Sequence, residues 1–217
     1  MALAIFDLDD TLIHGDCASL WSEEMARLGW VEAESFLQQD RELMAAYGQG
    51  KLAMEDYMAF SLAPMVGRTD ASVGDVVTAF IDNVIEPRVY ADARKVIAAH
   101  QAAGDRLLVI SASSVHLVAP IAAHLGIDEV LAIDLERHEG GFTGRTEGVL
   151  TYRDGKVTRL MTWLEARNET LDGASFYSDS RNDLPLLSKV SQPRVVNPDP
   201  VLLEHALQAR WPVLRWV

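Results

Sequence analysis

Five short apolar runs, at 2–6, 106–110, 129–133, 174–177 and 194–196, are separated along this chain mostly by segments with helical periodicity. Each parallel crossover returns over one face of a sheet, so strands of this kind are buried on both sides and read as continuous apolar runs between helices. The spacing therefore predicts an α/β fold, a Rossmann-like parallel sheet flanked by helices. In such sheets ligands bind beyond the carboxyl ends of the strands. Three of the runs deliver acidic or hydroxylic residues there: Asp7 after the first, Ser111 after the second, and Ser178 with Asp179 after the fourth.

One stretch breaks the alternation. From 16 to 85 the pattern is helical, with Leu20, Trp21, Met25 and Leu28 at three- and four-residue spacings and punctuation at Gly29, Gly48, Gly50, Pro64 and Gly67. It reads as a small helical cap inserted after the first strand, giving a core of 1–14 and 86–217 and a cap of 15–85. Short extended pieces around Gly140, Gly141 and Gly144 predict a hairpin between 134 and 152, and helices are expected over 156–167 and 200–209. The apolar end, Trp211 to Trp216, is expected to pack back on the core or to form a subunit contact, so the chain is read as a monomer or homodimer.

Of the 217 residues 49% are hydrophobic, enough for a sizeable core. The formal charge of −13 argues against nucleic acid and anionic membranes as partners, so an anionic substrate needs locally placed cations. The single cysteine, Cys17, permits no internal disulfide and suits a reducing compartment. Apolar runs fall far short of the roughly 20 residues of a spanning helix. A soluble cytoplasmic protein acting on a small molecule is the expectation.

Side chains alternate along a strand, so Asp7 and Asp9 of the Asp7-Leu8-Asp9-Asp10-Thr11 run would point the same way if the extended backbone continued. Two such carboxylates repel each other, and a divalent metal, or a division into one ionised nucleophile and one protonated acid, relieves the repulsion. Taken singly, every candidate has a plainer reading. The acidic run is equally a helix-capping loop, Lys156 a solvated helix-start lysine, Ser111 a turn residue, and Asp179 and Asp183 helix caps. Taken together, they favour chemistry.

The ordered set of Asp7 to Thr11, Ser111 in Ile110-Ser111-Ala112-Ser113-Ser114, Lys156 in Asp154-Gly155-Lys156, and Ser178 to Asp183 resembles the four motifs of the haloacid dehalogenase superfamily of phosphohydrolases. The insertion after the first motif, with Val196-Asn197-Pro198-Asp199-Pro200, is most similar to the phosphoserine phosphatase-like branch, subfamily IB. That resemblance implies a Mg2+-dependent phosphatase. Asp7 would be the nucleophile forming an aspartyl-phosphate, Asp9 the general acid and base, Ser111 a hydrogen-bond donor to the phosphoryl group, and Lys156 its positive partner. The Asp7 carboxylate, the Asp9 carbonyl and Asp179 would hold the metal with Asp183 in support, and Asp16, Ser111, Ala112 and Lys156 would contact substrate.

The resemblance also bears on the substrate. In phosphoserine phosphatases an acidic residue nine positions after the nucleophile binds the substrate amine, and Asp16 stands there. Those enzymes also carry a cap arginine eight residues after the lysine of a Gly-Lys-Leu segment. Gly50-Lys51-Leu52 is present, but the corresponding position is Ala59, so the bidentate carboxylate partner is missing. Arg41 and Arg68 read as surface residues. A phosphate ester with an amine and no carboxylate fits better, and histidinol phosphate meets that description, with Trp21, Glu24 and Tyr47 as candidate contacts for its ring. Phosphoserine hydrolysis, phosphotransfer to a small alcohol such as homoserine, and a non-catalytic binding module are the alternatives. No pair of the six histidines has metal-ligand spacing, and His14 alone is placed to approach the site.

Overall fold

The computed structural model describes residues 2–49, 51 and 53–217; Gly50 and Leu52 of the Gly-Lys-Leu segment lie outside that set. Its strands are β1 (Leu3–Phe6), β2 (Arg106–Ser114), β3 (Glu129–His138), β4 (Gly141–Glu147), β5 (Ser175–Ser178), β6 (Gln192–Val196) and β7 (Val213–Leu214). They form one sheet in the order β4-β3-β2-β1-β5-β6-β7, parallel except for β4. The chain winds outward from β1 in both directions, so the order reverses beside β1, where an open parallel sheet leaves a crevice.

Helices α1 (Cys17–Arg27), α2 (Ala33–Gly48), α3 (Met54–Leu62) and α4 (Asp70–Phe80) lie between β1 and β2. The rest are α5 (Ala91–Ala102), α6 (Val115–His124), α7 (Asp154–Glu165), α8 (Leu184–Leu187) and α9 (Pro200–Ala209). Alternation along β1 feeds two cores. Ala4 and Phe6 join one with Trp21, Met25, Met58 and Phe80 of the inserted helices, while Leu3 and Ile5 join the other with Leu160, Trp163 and Phe176. Each large side chain so buried contributes about 1.5–3 kcal/mol.

Two expectations about boundaries needed correction. The second strand does not stop at Ile110 but runs to Ser114, because β3 continues beside it and pairs again at Ser114↔Ile133 after a register irregularity. The helix expected from Lys156 starts two residues earlier, at Asp154. The hairpin is present as β3 and β4 and does more than turn the chain. Backbone hydrogen bonds from Gly67 to Phe142, Phe142 to Arg68 and Asp70 to Gly140 fasten the inserted helices to it. The C-terminal segment packs back on the chain: β7 pairs with β6, and Trp216 exchanges hydrogen bonds with the Asn197 side chain.

Candidate active site

Phe6 is level with Val109 and with Tyr177, and the Asp7 amide donates to the Tyr177 carbonyl at 2.9 Å, so Asp7 leaves the sheet between β2 and β5. The chain then turns sharply, with the Leu8 carbonyl accepting from the amides of Thr11, Leu12 and Ile13. That turn brings Asp9 to the start of α1. Its carboxylate accepts from the Cys17 amide at 2.7 Å and from the Ser113 hydroxyl at 2.8 Å. Thr11 reaches across to the fourth motif, donating to Asp179 Oδ1 at 3.2 Å while accepting from the Asp179 amide at 3.1 Å.

The cation at this site arrives from α7. Lys156 is only 3% exposed, and its ammonium donates to Asp7 Oδ1 at 3.0 Å and to Asp183 Oδ2 at 2.9 Å. Asp183 also accepts from Ser178 at 2.7 Å. The neighbouring glycine is obligatory for this approach: a Cβ on Gly155 would lie 1.9 Å from the Leu150 carbonyl oxygen. Asn182, likewise buried, accepts from the Arg153 guanidinium at 3.1 Å and bridges to the Tyr152 hydroxyl.

Burial dominates the electrostatics. It pushes Asp7 up to about 8, opposed by Lys156 and aided by Asp183 and Asp9. Burial raises Asp9 against its hydrogen bonds from Cys17 and Ser113. Asp179 is raised well above the carboxylate range by burial and then by Asp7, and Asp16 by burial and then by Asp9. For Lys156 burial works against the charged form, but Asp183 and Asp7 outweigh it and hold the ammonium protonated. One ammonium thus faces several close carboxylates.

These groups meet at a cleft of about 270 Å³ between the strand ends and the inserted helices. Asp7, Asp9, Asp16, Ala112 and Asp179 line it, so positions far apart in the sequence are brought together. Lys156, Asp183 and Ser111 stand behind the wall. Ser111 is fully buried, 3.4 Å from Asp9, and its oxygen accepts from the Ser113 amide, whereas Ser113 lines the cleft. Two residues on, the extended β2 presents the same face again, so Ser113 was legible once the strand length was known.

Of the three proposed ring contacts, Tyr47 lines the cleft. Trp21 does not: it packs edge-on against Trp30, Phe80 and His116. Glu24 does not either, because it is locked in a two-bond pair with Arg27 on its own helix. Helical periodicity assigns both to one stripe without saying what the stripe faces. Arg41 bonds Gln38, and Arg68 lies over the Trp30 ring with its Nε on the Pro64 carbonyl, so neither points at the cleft. His14 pairs with Tyr90 beside a separate shallow depression that also includes Asp10 and Asp179. Arg181, unremarked in the sequence, stands at the cleft wall, and its guanidinium donates to the Gly48 carbonyl at the end of α2.

Fold and site together define a Rossmann-like hydrolase whose acidic cleft opens at the carboxyl ends of parallel strands. The chain belongs to the haloacid dehalogenase-like hydrolase family, which residues 4–188 match. It is 37% identical to a histidinol-phosphatase of Neisseria meningitidis serogroup C (strain 8013), over 99% of this chain and 98% of that one. Among solved structures, a protein of unknown function from Bordetella pertussis Tohama I superposes with a TM-score of 0.91 at 34% identity, covering 98% of this chain and 97% of that one. A substrate-bound phosphoserine phosphatase shares the fold, with a TM-score of 0.72 at 19% identity over 98% and 92% of the two chains. Family and relatives make this chain an enzyme of the phosphoric monoester hydrolase class. Among the described residues, no helix is long and apolar enough to cross a membrane.

Proposed function

We propose that the protein is a Mg2+-dependent phosphatase that works through an aspartyl-phosphate on Asp7 and acts on a small amino-alcohol phosphate, histidinol phosphate in particular. Asp7, at the strand end and paired with Lys156, attacks phosphorus, and the alkoxide leaves with a proton from Asp9. Water then attacks the aspartyl-phosphate, giving its proton back to Asp9 and releasing phosphate. Burial raises Asp9, which suits a group that must carry a proton in the first step. Ser113 and the Cys17 amide orient it, and Lys156 supplies fixed positive charge.

The donor chemistry of the cleft suits magnesium: Asp7, Asp9 and Asp179 line it with hard oxygen atoms, and this ion takes one or two carboxylates and keeps several waters. The Asp7 carboxylate, the Asp9 carbonyl and Asp179 would hold it, with Asp183 in support. When bound, the ion neutralises charge on the phosphoryl oxygens. Residues 15–85 form the cap over this site in our reading, and the single buried cysteine suits the cytoplasm.

The observation that carries the substrate reading is the charge of the cleft wall. Asp16 faces the cleft, Ala59 is exposed, and Arg41 and Arg68 are engaged elsewhere. The similarity to a full-length histidinol-phosphatase agrees with it. Phosphoserine would have to use Arg181, whose guanidinium already bonds Gly48. Measured on purified protein with magnesium, kcat/KM for histidinol phosphate is expected to exceed that for phosphoserine by about tenfold or more. A preference for phosphoserine overturns the substrate and leaves the reaction class standing.

A further inference from the structure

We infer that Tyr57 determines specificity by hydrogen-bonding, through its phenolic hydroxyl, a ring nitrogen at the end of the substrate remote from phosphorus. The inference deepens the proposed function and rests on its substrate class. Tyr57 projects from α3 into the wall of the cleft and is 5% exposed. Its hydroxyl is shut off from solvent and has no hydrogen-bond partner among the described residues. Buried polar groups are nearly always paired, and one left unpaired in the wall of a binding cleft marks where a ligand completes it.

The surroundings select the kind of ligand. Met44, Tyr47 and Met54 line the cleft with Tyr57 and give a flat ring apolar and aromatic walls. Asp16 shares the cleft and uses one carboxylate oxygen to cap α1 through the Ser19 amide. Close by in the same helical layer Asp40 is 4% exposed and accepts from the hydroxyls of Ser19 and Ser22, with no cationic partner among the described residues. Neither Asp16 nor Asp40 is ion-paired among the described residues, and Arg181 at the cleft wall is bonded to the Gly48 carbonyl, so the two carboxylates disfavour a carboxylate beside them on the ligand and favour N–H donors. A phenol both donates and accepts, so it complements an azole nitrogen in either protonation state. Trp21 Nε1 and His116 Nε2 are also unpaired, but neither residue lines the cleft.

The test compares three phosphate esters on wild type and Tyr57→Phe by phosphate release: histidinol phosphate, phenylalaninol phosphate, which keeps the amine but has no ring nitrogen, and phosphoserine. Wild type is expected to favour histidinol phosphate over phenylalaninol phosphate by about tenfold or more in kcat/KM, chiefly through KM. Tyr57→Phe is expected to lower kcat/KM for histidinol phosphate by a similar factor, to leave phenylalaninol phosphate within about twofold, and so to erase the discrimination. If wild type prefers phosphoserine, the substrate reading falls and this inference with it. If wild type prefers histidinol phosphate to phosphoserine yet turns over phenylalaninol phosphate equally well, the inference alone falls, and that comparison needs no folded variant. Undiminished discrimination in Tyr57→Phe, or an equal loss on both ring esters, also overturns it, the latter because the hydroxyl would then serve only the packing of α3.

Discussion

In the proposed mechanism Asp7 has to act as an anion in surroundings that favour its neutral form. Burial pushes it up to about 8, and Lys156, itself anchored by Asp183, is the group that opposes this. Asp7→Asn keeps the shape of the site and the second anchor of Lys156 while removing both the proposed nucleophile and one buried charge. Turnover is expected to fall by about a thousandfold or more, with the melting temperature held or raised in metal-free buffer at pH 8; phosphate release and thermal melts check the two halves. Residual turnover within tenfold of wild type would exclude a carboxylate nucleophile at this position. The site's predicted carboxylates and Lys156 were legible in the sequence because each follows a strand or opens a helix and because their order is informative, whereas Arg181 at the cleft wall was not. The roles of Thr11 and Ser113 were not legible without the fold: Ser113 needed the length of β2, and both depend on which carboxylate the fold lays against the hydroxyl. Trp21 and Glu24 were misread for a related reason: on a helix, position gives the stripe but not the neighbour.

At the scale of elements, the start of α7 sets the reach of Lys156. The preceding Arg153 has a positive φ of 50°, and Gly155 passes so close to Leu150 that no side chain fits between them. Gly155→Ala is expected to push the first turn of α7 away from the strand ends. Loss of the Lys156 contacts would then cost at least about tenfold in kcat/KM, and the overpacked turn about 1–3 kcal/mol in stability. Kinetics and urea denaturation on the same variant check both, and a variant with wild-type kinetics would show that the turn can relax without moving the lysine. The sequence predicted this helix from its periodicity but not its first turn, because backbone crowding is a tertiary fact. The hairpin has the same lesson. Its glycines were visible, but its attachment to the inserted helices runs through backbone groups of residues 67–70 and 140–142, which carry no side-chain signature.

The whole molecule's response to pH follows from two opposed groups. His116 lies between α1 and the hairpin, against Trp21 and Phe142, and burial drives its pKa down to about 3. Its folded value is below the unfolded one of 6.5, so the stability it contributes is present above pH 6.5 and is lost as pH falls toward 3. Asp7 has the opposite sign. Its folded value, about 8, lies above the unfolded 3.8, so its contribution is present below 3.8 and is lost as pH rises toward 8. Between about pH 4 and 6.5 the two slopes oppose each other; from 6.5 to 8 only the carboxylate slope remains, about 1.4 kcal/mol per pH unit for one group titrating alone. Asp16 and Asp179 are shifted in the same direction as Asp7. Metal-free protein is therefore expected to be most stable near or below neutrality and to weaken steeply toward pH 8. A divalent cation binds the ionised carboxylates and not the protonated ones, so the rise in melting temperature on adding magnesium should be small at pH 5.5 and large at pH 8. Thermal melts with chelator and with magnesium across that range check this, and a rise of equal size at both ends would mean that the ion does not bind among these carboxylates.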